Sequence, residues 1–171
     1  MQSPCSMSSS GTMLQTVAVV GARSAFLLFR MGSRLCGVPV QDVVETLRAL
    51  PVEPMEDMPR FVRGLSVVRG LPLPVIDLEV LLTGAEGATA PARIVVLRVG
   101  ERRVALAVDE VLGVREIDPS LLHELPPLLR DAGGDLIEAI GVLDQELLIA
   151  LRSGRILPEE LRQRLPPGEL S

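Results

Sequence analysis

The sequence is poor in the aromatic side chains and the basic charge that nucleic-acid-binding proteins use. It has no Trp or Tyr and only three Phe, and its formal net charge is −5. Proteins that bind single strands stack the bases on aromatic rings along a basic groove. Nucleic acid is therefore not expected as a partner.

Cysteine is also scarce. Cys5 and Cys36 are the two cysteines of the chain, and neither lies in a CxxC or Cys/His spacing. This excludes a disulfide framework and the common zinc motifs, and it predicts a reduced, cytosolic protein. Cys36 is predicted to be a small core residue.

The residues and motifs of catalysis are few. His123 is the single histidine, and its neighbours supply no nucleophile or metal partner, so a loop histidine is predicted. No GxxxxGK[ST], GxGxxG or HExxH motif is present. Asp77, Asp109, Glu110 and Asp144 follow apolar runs, where an acid pair is conceivable but a helix cap and strand-end turns are favoured. We predict no enzyme, no cofactor and no metal site.

The first 22 residues carry no charge but contain no long apolar run. Pro4, three consecutive serines and Gly11 interrupt them, so neither a signal peptide nor a membrane anchor is predicted. Residues 1–23 are expected to be a flexible tail, with a short strand over 17–20 as the alternative.

The most informative stretch is Gly64 to Leu78. Two apolar runs flank Arg69-Gly70, which predicts a β-hairpin with Arg69 at its tip. Pro72 and Pro74 lie two apart and remove N–H donors from the same side of the second strand. That side should be an edge or a break in the ladder. Asp77 is well placed to cap a short helix.

Other apolar runs predict further strands over residues 25–31, 35–40 and 43–50, the last with a helix as the alternative. Near the C-terminus, Pro158 stands at a favourable first helical position, followed by early acids and late arginines. An amphipathic helix over residues 156–166 should pack on a barrel.

The chain contains an internal duplication. Phe26 aligns with Ile94, 68 residues further on, and this offset continues through the following strand to Val43 and Val111. Later the offset is 75 residues, and the Arg69-Gly70 turn falls on Asp144-Gln145. Conserved order of two turns with their strands favours duplication over chance similarity.

Two copies of about five short strands predict a mainly β fold of two five-stranded small barrels side by side. We assign the first barrel to residues 24–82, a linker to 83–92 and the second barrel to 93–154. A short helix follows the first barrel, and the C-terminal helix follows the second.

Several motifs together resemble the CheW family of chemotaxis coupling proteins over about residues 24–157. They are Phe26-Leu-Leu-Phe-x-x-Gly32, Gly37-Val-Pro-Val40, Pro59-x-Phe-Val-x-Gly64 and Arg69-Gly70-x-x-x-Pro74-Val-Ile-Asp77-Leu78. Pro72, and Val67-Val68 before the arginine, depart from the usual family pattern.

The resemblance implies a non-catalytic adaptor. Such proteins join the cytoplasmic tip of a methyl-accepting chemoreceptor to the regulatory domain of a CheA-type histidine kinase, in receptor arrays at the inner face of the membrane. It implies a helical receptor tip bound in a groove between the barrels. The receptor-binding residues carried over are Arg69, Gly70, Val43 and Glu45. The kinase-binding residues are not assigned.

The sequence leaves alternatives open for the function and for three of the site residues. The chain is alternatively a CheW-like scaffold of a receptor–kinase pathway other than chemotaxis, or a small-barrel ligand-binding module. Arg69 is alternatively a solvated turn residue, and Val43 a core residue. Glu45 has Arg48 and Arg30 as candidate ion-pair partners, which would contribute little on an exposed face.

Overall fold

The structure is a computed structural model of the chain, and it describes residues 24–85, 90–126 and 135–158 together with residues 161 and 163. The predicted tail over 1–23 lies outside the described residues. So do residues 86–89 of the linker and most of the C-terminal helix.

The described residues form eleven strands, one short α-helix and three turns of 3₁₀-helix. The strands are β1 Ser24–Met31, β2 Arg34–Pro39, β3 Val43–Arg48, β4 Val62–Val68, β5 Leu71–Asp77, β6 Arg93–Val99, β7 Arg102–Val108, β8 Glu110–Ile117, β9 Leu122–His123, β10 Ile137–Leu143 and β11 Glu146–Leu151. The helix is α1 Leu78–Thr83, and the 3₁₀ turns are Val40–Asp42, Pro119–Leu121 and Ser153–Arg155.

The strands form two sheets, which confirms the predicted mainly β fold with two small β units. The six-stranded sheet has the order β8-β1-β2-β11-β10-β9, and the five-stranded sheet has the order β3-β6-β7-β5-β4. The sixth strand, β9, was not predicted, because its two residues are too few to give a periodic pattern. In the five-stranded sheet the edge strands β3 and β4 do not pair, and an isolated bridge from Glu53 to Leu65 lies between them.

The sheets do not follow the two halves of the chain. Hairpin β1–β2 pairs with β8 and β11 of the second half, and hairpin β6–β7 pairs with β3 and β5 of the first half. The assignment of one barrel to residues 24–82 and the other to 93–154 is therefore wrong. The local sequence pattern identifies the hairpins. It does not show that each half of the chain contributes a hairpin to the sheet of the other half, because this exchange of hairpins depends on pairings between distant parts of the chain.

The exchange preserves the predicted duplication residue by residue. Phe29 pairs with Val111 in the six-stranded sheet. Their counterparts in the duplication, Leu97 and Val43, are each 68 residues away, and they pair with each other in the five-stranded sheet. The parallel contacts behave alike, because Ala150 lies opposite Gly37 and its counterpart Val75 lies opposite Ala105. The two sheets are related as two copies of one pattern.

The two prolines of β5 act as predicted. β5 is hydrogen-bonded to β4 along its length, but its parallel ladder with β7 covers only Val75 to Asp77. Pro72 and Pro74 lie before that ladder begins, where no N–H donor is needed. The tip of the β4–β5 hairpin is consequently free of β7.

Apolar side chains divide into three clusters. One lies on one face of the six-stranded sheet and includes Phe26 and Leu28, while another lies on one face of the five-stranded sheet and includes Ile94 and Val96. The largest cluster lies on the other face of both hairpins and is shared between the sheets. The strands of the hairpins are apolar on both faces because each face packs in a different core.

The C-terminal segment closes the shared core. Leu161 and Gln163 have helical conformation, and the buried Leu161 belongs to the cluster between the sheets. Leu157, which the predicted helix also includes, lies in the same cluster. The segment around Leu161 therefore packs against the core that both sheets share.

Candidate functional site

The β4–β5 turn holds Arg69 and Gly70 in left-handed backbone conformations. Their φ angles are 53° and 82°. Positive φ at both central residues is the pattern of a type I′ turn, which matches the twist of a two-residue hairpin. Glycine suits this conformation, but arginine adopts it at a cost. The predicted hairpin with Arg69 at its tip is confirmed.

Arg69 forms an ion pair with Glu45 of β3. Its Nη2 lies 2.8 Å from Oε1 of Glu45, and its Nε lies 3.1 Å from each carboxylate oxygen. The arginine side chain is 73% exposed and the glutamate 21%. Hydrogen bonds from Arg69 lower the pKa of the Glu45 carboxyl, and the same bonds raise the pKa of the guanidinium.

This ion pair connects the two edges of the five-stranded sheet. Glu45 belongs to edge strand β3, whereas Arg69 follows edge strand β4. The sheet curls so that the edges approach, as the bridge between Glu53 and Leu65 also shows. The pair thus fixes the hairpin tip against β3 at one end of the sheet.

The structure places the other two predicted site residues near this pair. Gly70 is exposed, and a Cβ added to it would meet no atom within 4 Å. Val43 is half-buried against the core between the sheets. A β-bulge between Val43 and Glu45 shifts the register of β3, so Glu45 pairs with Val96. Whether these four residues bind a receptor stays a prediction.

The other sheet contains a charge-reversed pair at the equivalent turn. Asp144 and Gln145 have φ angles of 50° and 69°, which confirms that they correspond to Arg69 and Gly70. Arg115 of β8 donates from Nη1 to Asp144 Oδ2 at 3.1 Å. β8 is the counterpart of β3, so each hairpin turn is tied to an edge strand of its sheet, with opposite polarity.

The two candidate partners of Glu45 suggested by sequence are wrong. Arg30 instead donates two hydrogen bonds to Glu146, at 2.8 and 2.7 Å. These bonds lower the pKa of the Glu146 carboxyl. Sequence distance could not identify Arg69 as the partner of Glu45, because their contact depends on how the sheet curls.

The carboxylates considered for acid catalysis have structural contacts. Asp77 is buried and caps α1, since its Oδ1 accepts from the N–H groups of Glu79 at 3.0 Å and Val80 at 3.2 Å. Its Oδ2 lies 2.8 Å from Arg63 Nη1. Asp109 Oδ2 accepts from the Gly32 N–H at 2.6 Å. The predicted helix cap is confirmed.

The remaining chemically active residues stand apart. His123 is exposed in β9 at a sheet edge, not in a loop. Cys36 is fully buried, as predicted, and burial raises the pKa of its thiol to about 12. Within residues 24–85, 90–126 and 135–158, no three His, Cys, Asp or Glu side chains lie close enough to hold a metal ion.

Sequence reasoning did not select Arg98 and Arg103. They face each other across the β6–β7 hairpin, and the charge of Arg103 acts on Glu45. If the hairpin turn is placed at residues 100–101, the sequence predicts that Arg98 and Arg103 lie opposite each other.

Each sheet packs around an apolar cluster, and the turn with Arg69 is charged and exposed. The buried members of the two clusters are Val, Leu, Ile, Phe and Ala side chains.

Comparison with known proteins identifies the kind of module. The family model described as the CheW-like domain matches residues 25–161. The chain belongs to this family, whose members are non-catalytic scaffold proteins of chemotaxis-type signalling.

Individual relatives agree with this assignment. Protein FrzA of Myxococcus xanthus is 34% identical over 81% of this chain and 88% of its own length. Chemotaxis protein CheW of Klebsiella aerogenes is 26% identical over 79% of this chain and 82% of its own length. The crystal structure of the scaffolding protein TtCheW from Thermoanaerobacter tengcongensis has a TM-score of 0.68 and 25% identity, covering 76% of this chain and 89% of that one.

None of the helices in the described part of the chain is long and apolar enough to cross a membrane.

Proposed function

We propose that the protein couples the cytoplasmic tip of a chemoreceptor to the regulatory domain of a CheA-type histidine kinase. It does so in the cytoplasm, within receptor arrays at the inner face of the membrane. Membership of the CheW-like family and similarity to a chemotaxis protein CheW support this proposal. The protein acts by positioning its two partners, and each contact can be modest because an array multiplies the contacts.

The Arg69 turn carries the proposal. A non-glycine residue at φ 53° with a 73% exposed side chain adds strain without adding to a core. Strained backbone clusters at functional sites. Asp144 has a similar φ at the equivalent turn, so the positive charge is what distinguishes the Arg69 turn. Glu45 holds the guanidinium in one direction, which lowers the entropy that a partner must remove on binding. Arginine is also enriched among the residues that dominate binding energy at interfaces.

Gly70 and Val43 complete the proposed receptor site. The open space around Gly70 allows the backbone of a partner to approach the turn closely. Val43 packs against the central core beside the β-bulge and thereby fixes the position of Glu45.

A receptor–kinase pathway other than chemotaxis is the second candidate. FrzA, at 34% identity, carries a different name from the chemotaxis proteins CheW, and protein PilI of Pseudomonas aeruginosa is 32% identical over 58% of the chain. The same site would then serve another receptor and another output.

Substitution of Arg69 by Glu tests the proposal against a matched control. Arg69→Glu places a like charge beside Glu45, and Arg115→Glu does the same beside Asp144 at the equivalent turn. Binding of each full-length variant to a receptor-tip fragment and to a kinase regulatory domain is measured by pulldown and titration. We expect Arg69→Glu to weaken receptor binding more than about tenfold, a loss of about 1.4 kcal/mol. Arg115→Glu should retain it.

Thermal unfolding of both variants provides the control for folding. Exposed turn residues usually change stability by no more than about 0.5 kcal/mol. Equal loss of receptor binding in both variants, or no binding of the parent to either partner at micromolar concentration, would contradict the proposal.

A further inference from the structure

Two arginines of the five-stranded sheet face each other directly. Arg98 of β6 and Arg103 of β7 are a cross-strand pair. Side chains alternate along a strand, so the pair continues the face that carries Ile94 and Val96 of the apolar cluster of this sheet. Like charges in this arrangement destabilise a sheet. The pair therefore has a cost that the fold itself does not require.

Glu45 is the carboxylate of the described residues on which Arg103 acts, and it is already engaged by Arg69. Glu45 pairs with Val96 in the strand register, and Arg103 lowers its pKa in addition to the hydrogen bonds from Arg69. The side-chain hydrogen bonds to the Glu45 carboxylate, however, come from Arg69. Within the described part of the chain, neither Arg98 nor Arg103 forms an ion pair or a side-chain hydrogen bond. Arg69 and Arg103 therefore act on the same carboxylate, and Arg98 lies directly opposite Arg103.

The equivalent end of the six-stranded sheet has no such excess. Arg30 corresponds to Arg98, and both of its terminal nitrogens bond Glu146. The counterpart of Arg103 is Leu35, and the counterpart of Arg69 is Asp144. The duplication has thus produced one end with internally paired charges and one end with unpaired positive charge.

We propose that Arg98 and Arg103, beside Arg69, bind an acidic helical segment of a protein partner through two carboxylates one helical turn apart. This inference rests on the proposed function, in which the same end of the five-stranded sheet binds the receptor tip. The geometry favours a helix, because directly opposite side chains of a hairpin have Cβ atoms about 4.5–5.5 Å apart, and helix residues i and i+4 about 5–6 Å apart. Each guanidinium can bind one carboxylate with two hydrogen bonds.

A protein segment suits the site better than nucleic acid. The formal net charge of −5 repels a polyanion at long range, and the chain has no Trp or Tyr for base stacking. A short acidic segment meets only the local positive charge. Single-stranded nucleic acid is accordingly an outcome that the experiment must distinguish.

The experiment uses the full chain and two probes. The first is a fluorescent alanine- and glutamine-rich helical peptide with two glutamates four residues apart, compared with the same peptide carrying glutamines. The second is a receptor-tip fragment. Anisotropy titrations compare the parent with Arg98→Gln/Arg103→Gln. The control is Arg48→Gln/Arg93→Gln, because Arg48 and Arg93 are also exposed cross-strand partners and lie toward the opposite end of β6.

We expect the parent to prefer the glutamate peptide and to lose about tenfold in affinity for both probes in Arg98→Gln/Arg103→Gln, with less change in the control. Removing like charges should leave the variant folded and no less stable. Equal affinity for both peptides, equal losses in both double variants, or tighter binding of a single-stranded oligonucleotide than of the glutamate peptide would overturn the inference. Failure of the receptor tip alone to bind the parent would instead refute the proposed function, and the peptide comparison would still decide this one.

Discussion

Arg69 and Asp144 occupy the same position of the same turn in two copies of one hairpin, and they carry opposite charges. Each is paired with a residue of opposite sign on an edge strand of its sheet, Glu45 in one case and Arg115 in the other. The duplicated backbone is therefore conserved while the charge at its two ends has diverged. A module whose two equivalent turns carry opposite charges can distinguish two partners by charge.

The residue after Arg69 and the residue after Asp144 allow a reciprocal test of the turns. Gln145 is exposed and adopts φ 69°, where glycine is favoured, so Gln145→Gly should raise the free energy of unfolding by about 0.5–1 kcal/mol. Gly70→Gln should lower it by a similar amount, since φ is 82° and the space is open. Urea unfolding measures both changes. Shifts of the same sign in the two variants would contradict the type I′ assignment.

Gly64 is the glycine with the strongest steric requirement. Its φ is 141°, and a Cβ there would lie 2.0 Å from the carbonyl oxygen of Glu53 and 2.9 Å from Cα of Pro54. Gly64→Ala must separate this segment from β4 and break the bridge to Leu65, so we expect a loss of about 2–4 kcal/mol. Chemical denaturation gives the magnitude, and hydrogen exchange at the amides of Glu53 and Leu65 locates the opening.

Gly70→Ala is the control for Gly64→Ala. It also places a side chain at positive φ, but a Cβ at Gly70 meets no atom within 4 Å. Its cost should stay near 1 kcal/mol, the cost of the backbone conformation alone. Equal losses in the two alanine variants would show that the contact with Glu53 does not matter.

Acid should remove part of the stability through Glu45 and Glu146. Hydrogen bonds from Arg69 and Arg30 lower the pKa values of these carboxyls in the folded state. A group with a lowered folded pKa stabilises the protein above its unfolded pKa, about 4.3 for glutamate, and this contribution disappears as the pH falls through the lowered value. The stability of the parent should therefore decrease more steeply below about pH 4.3 than that of Glu45→Gln/Glu146→Gln. Urea midpoints from pH 7 down to pH 2.5 compare the two.

Both pairs are solvent-exposed, so the difference should be small and should shrink in high salt. An acid limb of identical slope in the parent and the double variant would show that neither pair contributes to folding.

Local pattern was enough to predict the hairpins, the cap and the duplication. Glycine and proline mark the turns, alternation marks the strands, and Asp77 precedes an apolar stripe at helical spacing. It was not enough to predict which hairpin joins which sheet. The strands around Phe29 and Leu97 are apolar on both faces, so their composition shows that both faces are buried but not in which core.

The candidate site also depends on contacts between residues that are distant in sequence. The sequence placed Arg69 at a hairpin tip, and the resemblance assigned both Arg69 and Glu45 to the site. Their contact was not predicted, because it closes the space between two strands that do not pair. Arg98 and Arg103 were missed because opposite positions on a hairpin matter only once the register is known.

The exchange of strands has a consequence for how the chain is made. When the first half leaves the ribosome, β1 and β2 lack β8 and β11, while β3, β4 and β5 lack β6 and β7, so neither sheet can be completed. Folding must wait for late, distant pairings, which slows it. A chain of half this length could build neither sheet alone, but two copies of it could build both. The single chain therefore has the strand topology that two intertwined copies of one half would have.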